Sequence, residues 1–305
     1  MRSLPTNPKE IRKRTFFVLL MVSFVLISAC RASGGTDSSE GAKRAIQNKG
    51  SDTIVNIALA WAEEYRNVDP TVSIAVTGGG SGTGIASLIN GTVDIANASR
   101  QMKENEIEDA RANGIDPFEH VVAIDALAVI VNPVNPVSEI TIYELADMYT
   151  GRITNWAELG GNDAPIILVS RETNSGTHVY FLEEVVRRGE KDNTDIFAPQ
   201  TLLMPSSVGI TSEVRRNPNA IGYDGLGYVD NLHEKVLSIA LDSESPYVLP
   251  TTATAKEGTY PLSRDLYMYT NGEPTDVVAE YLAWILSPAG QIIVENLGFV
   301  PLEAE

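Results

Sequence analysis

Cysteine and histidine are nearly absent. The 305 residues hold one cysteine, Cys30, and three histidines, His120, His178 and His233. A lone cysteine cannot form a disulfide within one chain. No Cys or His spacing typical of a metal site occurs, so no metal and no cofactor is expected. Positive charge is scarce as well. There are 23 Lys and Arg against 40 Asp and Glu, for a net charge of −17. Nothing resembles a basic face for nucleic acid. Any anion site has to work by local donors against the overall field. There is no internal repeat. What remains is ordinary for a soluble core, with 43% hydrophobic and 21% charged residues, and the length suits one or two domains.

The N-terminus does not read as part of the fold. Arg2, Lys9, Arg12, Lys13 and Arg14 form a positive stretch, and Phe16 to Ile27 is an apolar run of 12 residues. A comfortable bilayer span needs about 20 residues. Small residues and the cysteine follow, as Ile27-Ser28-Ala29-Cys30. This is a secretory signal layout, and the tetrapeptide resembles a bacterial lipobox. Residues 1–29 are expected to be a lipoprotein signal peptide, with cleavage before Cys30 and lipid on it. The alternative is an uncleaved anchor with an incidental cysteine. Removing the five Lys/Arg and one Glu of residues 1–29 takes the net charge from −17 to −21. Residues 30–45 are polar and Gly/Ser-rich, and are expected to be a flexible tether.

From residue 46 onward, short strands alternate with helices. Ala45 to Gly50 reads as a strand, and Ser51, Asp52 or Thr53 can cap the helix that follows. Val72 to Val76 alternates as a second strand. It runs into Gly78 to Gly84, with five glycines in seven residues, which lets backbone approach a ligand closely. The loop lacks the Lys-Ser/Thr of a phosphate-binding P-loop, the dinucleotide glycine spacing, and the last glycine of a serine-hydrolase elbow. Val93 to Ala98 is a third strand that ends in Ser99-Arg100. Val121 to Val131 is an apolar run with one acid, Asp125, and reads as a strand buried on both faces. Asp125 is either hydrogen-bonded structure or part of a cleft. Ile166 to Val169 is another strand, followed by Arg171 to Thr177 and a helix from His178 to Arg188. The alternation predicts an α/β protein with mainly parallel pairing.

Three strand-to-helix turns carry hydroxyls at a helix start: Ser51 to Thr53, Ser81 to Thr83 and Ser175 to Thr177. Arg171 precedes the last, and Arg100 follows Ser99 at another strand end. In open α/β sheets, ligands sit beyond the carboxyl ends of strands, so these groups can converge. The set is donors without a nucleophile–base pair. A tetrahedral oxyanion could accept from backbone N–H, hydroxyls and an arginine fork together. His178 could serve as an acid or base, but a helix histidine with an apolar flank reads as packing. An enzyme is not expected. A surface-anchored phosphate-ester hydrolase is the alternative from another class.

The ordered motifs carry a resemblance over about residues 46–300. They are Gly50-Ser51-Asp52-Thr53, Gly80-Ser81-Gly82-Thr83-Gly84, Thr92 to Arg100, Tyr149 to Trp156, Arg171 to Thr177, and Gly222-Tyr223 with Gly225 to Tyr228. In this order they are similar to the phosphate-binding proteins of bacterial phosphate ABC transporters, within the type II periplasmic-binding-protein superfamily. The resemblance implies two α/β lobes joined by a two-strand hinge, with the ligand enclosed on closure. The crossings fall near Val121 to Val129 and Tyr260 to Leu266. Lobe one is then about 46–126 plus 259–305, and lobe two about 127–258. It implies a monomer that takes inorganic phosphate to permease subunits and is held outside the cytoplasm, on the cell membrane, by its lipid. Thr53, Ser81, Arg171, Ser175, Gly176 and Thr177 match phosphate-contacting positions. Ser51, Asp52, Gly82, Thr83, Ser99 and Arg100 flank them and complete the expected site.

One position departs from the family pattern. Well-known members carry an Asp directly after the Ala-Ser of the third strand. That Asp accepts phosphate's proton and so rejects sulfate. Here Arg100 stands there, and an arginine cannot accept a hydrogen bond. Either another acid serves, Asp52 first and Asp125 second, or discrimination is weaker; alternatively Arg100 points away and pairs with a surface acid. Within the same class, a binding protein for another oxyanion, such as sulfate, molybdate or tungstate, is the alternative. A phosphate sensor that signals without transport is a further alternative.

Overall fold

The computed structural model describes residues 44–303. The signal stretch, Cys30 and the tether up to residue 43 lie outside the described residues.

The first half follows the expected alternation. Strand β1 (Arg44–Gly50) leads into helix α1 (Asp52–Val68). Ile54, Ile57, Ala58, Trp61 and Tyr65 recur at helical spacing on α1 and are buried. Trp61 donates its indole N–H to the Gly290 carbonyl at 2.8 Å, which ties α1 to the C-terminal part of the chain. Ser51 occupies the N-cap of α1, but its side chain makes no cap bond. Strand β2 (Val72–Thr77), helix α2 (Ser81–Ile89), strand β3 (Ile95–Ala98) and helix α3 (Glu104–Ala112) follow.

Strand β4 (Pro117–Val131) is 15 residues long. The chain continues through β5 (Glu139–Thr141), α4 (Ile142–Thr150), β6 (Ile167–Arg171) and α5 (Gly176–Phe181). Helix α5 starts two residues earlier than the sequence suggests and loosens into a π-helical turn at Leu182–Val186. Strand β7 (Leu202–Met204), helix α6 (Ser207–Arg216) and strand β8 (Ala220–Gly225) complete this region, with small strands β9 (Lys235–Val236) and β10 (Ser238–Ala240). Helix α7 (Thr252–Lys256) precedes β11 (Ser263–Asn271), and α8 (Asp276–Leu286) and α9 (Pro288–Asn296) end the fold.

The main sheet runs β2-β1-β3-β11-β4-β8-β6-β7, with β9 also on β4. Its two wings are parallel: β1 with β2 and β3, and β6 with β7 and β8. The middle is antiparallel, because β11 pairs with β3 and β4, and β4 pairs with β8 and β9. The expectation of mainly parallel pairing therefore fails at the centre. There β4 and β11 pass in opposite directions between the wings. Strand β4 changes partner at one point. Residues 117–126 lie against β11, and Leu127 to Val131 lie against β8.

Two large cores follow the same division. Ile46, Ile54, Trp61, Val122, Leu266, Tyr281 and Phe299 belong to one, and Leu127, Val129, Leu145, Tyr149, Phe181 and Tyr223 to the other. Among the described residues no single helix is long and apolar enough to cross a membrane.

Candidate functional site

Four strand ends and their turns meet between the two wings. Arg171 ends β6 and is 1% exposed. Its Nη2 donates to Asp52 Oδ2 at 2.5 Å and to the Pro205 carbonyl at 3.2 Å. Its Nη1 donates to Ser207 Oγ at 3.2 Å, and its Nε to the Met204 carbonyl at 3.3 Å. Ser207 in turn donates its O–H to Asp224 Oδ1 at 2.9 Å. Asp52, in the first turn of α1, also accepts the Gly79 N–H at 3.0 Å. The ion pair thus links the first turn of α1 to the end of β6.

The hydroxyls meet in the same way. Thr53 Oγ1 lies 2.9 Å from Thr177 Oγ1, and both residues are buried. Ser81 Oγ accepts the Ser99 N–H at 3.0 Å and lies 3.3 Å from Ser99 Oγ. Gly176, the first residue of α5, packs directly on both serines. A β-carbon there would overlap Ser81 Oγ and Ser99 Oγ. Gly82 donates its N–H to the Asn174 carbonyl at 3.0 Å, and Asn174 Nδ2 donates to the Gly79 carbonyl at 2.9 Å. Gly80 has φ of +88° beside Asn174, a conformation a side chain would resist.

Of the expected residues, Asp52, Thr53, Ser81, Gly82, Ser99, Arg171, Gly176 and Thr177 are brought into contact across the two wings. Ser51 and Ser175 sit at the N-caps of α1 and α5, buried, with no cap bond from either side chain. Thr83 lies at the edge, where it accepts from Asn174 Nδ2 at 3.4 Å. Arg100 is not among the converging groups. Its guanidinium is held by Glu106 of α3 through two contacts of 2.7 Å. A fork of donors finds its bidentate carboxylate there.

Asp125 is fully buried against Arg264, with Oδ2 at 2.9 Å from Nη2 and 3.2 Å from Nε. Burial pushes its carboxyl up, and the Arg264 guanidinium opposes the shift. Burial likewise pushes Asp224 up to about 6, against the pull of Arg171. His178 Nδ1 lies 3.1 Å from Ser170 Oγ, and the ring rests on Phe197. Burial lowers its pKa, so the ring is held neutral in packing.

Three contributors escaped the sequence reading. Ser207 stood in a Ser-rich helix start and Arg264 led into a strand, but neither showed which acid or hydroxyl it would meet. Asp224 lies between Tyr223 and Gly225 with no local signal. All three gain meaning only from long-range pairing.

Residues 36–289 match the PBP superfamily domain. The chain is 32% identical over 284 residues to the phosphate-binding protein PstS of Pseudomonas aeruginosa, covering 88% of this chain and 86% of that one. The chain belongs to the PstS family of the PBP superfamily. The Bacillus subtilis PstS is 31% identical over 301 residues and 95% of both chains. A Clostridium perfringens protein, described as a phosphate ABC transporter substrate-binding protein and solved with bound phosphate, superposes with a TM-score of 0.76. Its identity is 32%, over 85% of this chain and 100% of that one. A phosphate transport receptor from Vibrio cholerae gives 0.68 at 30% identity, over 84% of this chain and 100% of that one. The fold is thus the two-lobed α/β fold of this PstS family, with the β4–β11 pair between the wings, β11 against β3 on one side and β4 against β8 on the other.

Proposed function

We propose that this protein captures inorganic phosphate between its two lobes and delivers it to the permease subunits of an ABC transporter. Lobe one comprises about residues 46–126 plus 259–305, and lobe two about 127–258. The chain is a monomeric carrier held outside the cytoplasm by lipid on Cys30, and it has no catalytic role. One observation carries the reading. The donor-rich turns of the two wings face each other, with Thr53 against Thr177 and Asp52 against Arg171. Arginine, hydroxyls and the N-termini of α1, α2 and α5 form a set that suits a multiply charged oxyanion. Asp52 takes the part of the missing family acid. Of the two candidate acids it is the one bonded to the cage arginine, whereas Asp125 lies behind Arg264. A carboxylate has about four lone-pair positions. Asp52 can therefore accept phosphate's proton beside its bonds from Arg171 and Gly79. Sulfate offers no such proton near neutral pH.

The test is calorimetric titration of phosphate and sulfate across pH into the wild type and Asp52→Asn. The variant is expected to lose its preference for phosphate. An unchanged preference removes Asp52 from this role.

A further inference from the structure

Arg264 lies beside the cage without belonging to the expected set. It faces Asp125 across the β4–β11 pair, in direct register. This is where β4 changes partner from β11 to β8. The side chain is held from both sides. Asp125 accepts from Nε and Nη2. Helix α5 supplies two contacts one turn apart: Thr177 Oγ1 accepts from Nη2 at 2.9 Å, and the guanidinium lies 5.1 Å from the centre of the Tyr180 ring. Positions three apart share a helix face, so one face of α5 grips one arginine. Nη1 is buried without a hydrogen-bond partner among the described residues. Ser99 and Arg264 also border a cavity of about 470 Å³ that opens beside the cage.

The chemistry of that contact is asymmetric. A guanidinium only donates, and a hydroxyl can donate or accept. Thr177 Oγ1 must therefore be the acceptor toward Arg264. Its single proton therefore points elsewhere, and Thr53 Oγ1 stands 2.9 Å away in a contact where either hydroxyl can donate. An oxyanion needs donors at that point. We propose that Arg264 is a positioning residue for anion binding, one that fixes the Thr177 hydroxyl as a donor into the cage and anchors it to the β4–β11 strand pair. This rests on the reading of the cage as an oxyanion site and deepens it. It assigns the hinge strands a direct part in ligand affinity.

A double-mutant cycle tests it, with phosphate binding read by calorimetry for wild type, Arg264→Lys, Thr177→Val and the double variant. Lysine keeps a charge opposite Asp125 but lacks the fork that reaches Thr177. Arg264→Lys is expected to weaken phosphate binding by about tenfold with Thr177 present, the scale of one hydrogen bond to a charged group. With Val at 177 the same change is expected to cost less than about twofold, because neighbours in one network are non-additive. Equal losses in both backgrounds, or no loss, overturn the proposal. Should Arg264→Lys not fold, Asp125→Asn decides. It keeps the Arg264–Thr177 contact and relieves the guanidinium of its counter-charge, so phosphate is expected to bind more tightly. Weaker binding overturns the proposal. If the wild type takes another tetrahedral oxyanion instead, the phosphate reading fails alone and the same cycle is read with that anion. If it takes none, both readings fall.

Discussion

Arg171 distributes four bonds over its five N–H groups: to Asp52, Pro205, Met204 and Ser207. One N–H of Nη1 has no partner among the described residues and is available to an anion. Arg171→Lys keeps the charge and loses the planar fork. Phosphate affinity is expected to fall by about 100-fold, the scale of one or two charge-assisted hydrogen bonds, in a calorimetric titration. Behind Arg171, Asp224 is held by burial at about 6, above its ordinary value of 3.8. A buried acid with a raised pKa binds more protons folded than unfolded. Its contribution to stability is fully present below about pH 4 and is lost as pH rises through about 6. Asp224→Asn is expected to remove that slope. The melting temperature of the variant relative to wild type should rise between those two pH values, and a flat difference contradicts the assignment.

At the scale of elements, the loop before α5 and the loop before α2 hold one another. Asn174 contributes three bonds: its carbonyl accepts the Gly82 N–H, and its amide donates to the Gly79 carbonyl and, at 3.4 Å, to Thr83 Oγ1. Asn174→Ala keeps the first and removes the two side-chain bonds, of which the 2.9 Å bond to Gly79 is the stronger. Phosphate release, followed by stopped-flow, is expected to accelerate about fivefold to tenfold, the weight of one neutral hydrogen bond. An unchanged release rate places no part of the closed state on that loop. The elements themselves were largely legible. The β1–α1 and β2–α2 turns are written in periodicity and glycine, and Gly151 at the end of α4 adopts the left-handed cap its residue type invites. The start of α5 was not. Gly176 and Thr177 look like turn residues locally, and they enter the helix because Gly176 packs against Ser81 and Ser99. The antiparallel centre was equally hidden, since the pairing of β4 with β11 joins residues more than 130 positions apart. The fate of Arg100 depended on Glu106 lying six positions on, in the first turn of α3, which the sequence contains but does not orient. Site residues were readable as hydroxyl-bearing turns. Their pairings, and the arginine at 264, required the tertiary fold.

At the scale of the molecule, an acidic chain gathers donor-bearing turns around the paired Arg171 at the junction of two wings. The overall charge of −17 opposes anion approach. Long-range repulsion is screened within about 8 Å at physiological ionic strength. Phosphate association is therefore expected to speed up as salt rises from low ionic strength, the reverse of a steered encounter. Rates that fall with salt would indicate a local field that outweighs the total. Enclosure between lobes also links binding to stability. Saturating phosphate should raise the melting temperature by mass action. The most direct test of the central claim is a calorimetric titration of the full chain with phosphate, repeated with sulfate in excess. The account predicts one phosphate per chain, with sulfate unable to compete at neutral pH. No saturable phosphate binding, or equal binding of the two anions, would contradict it.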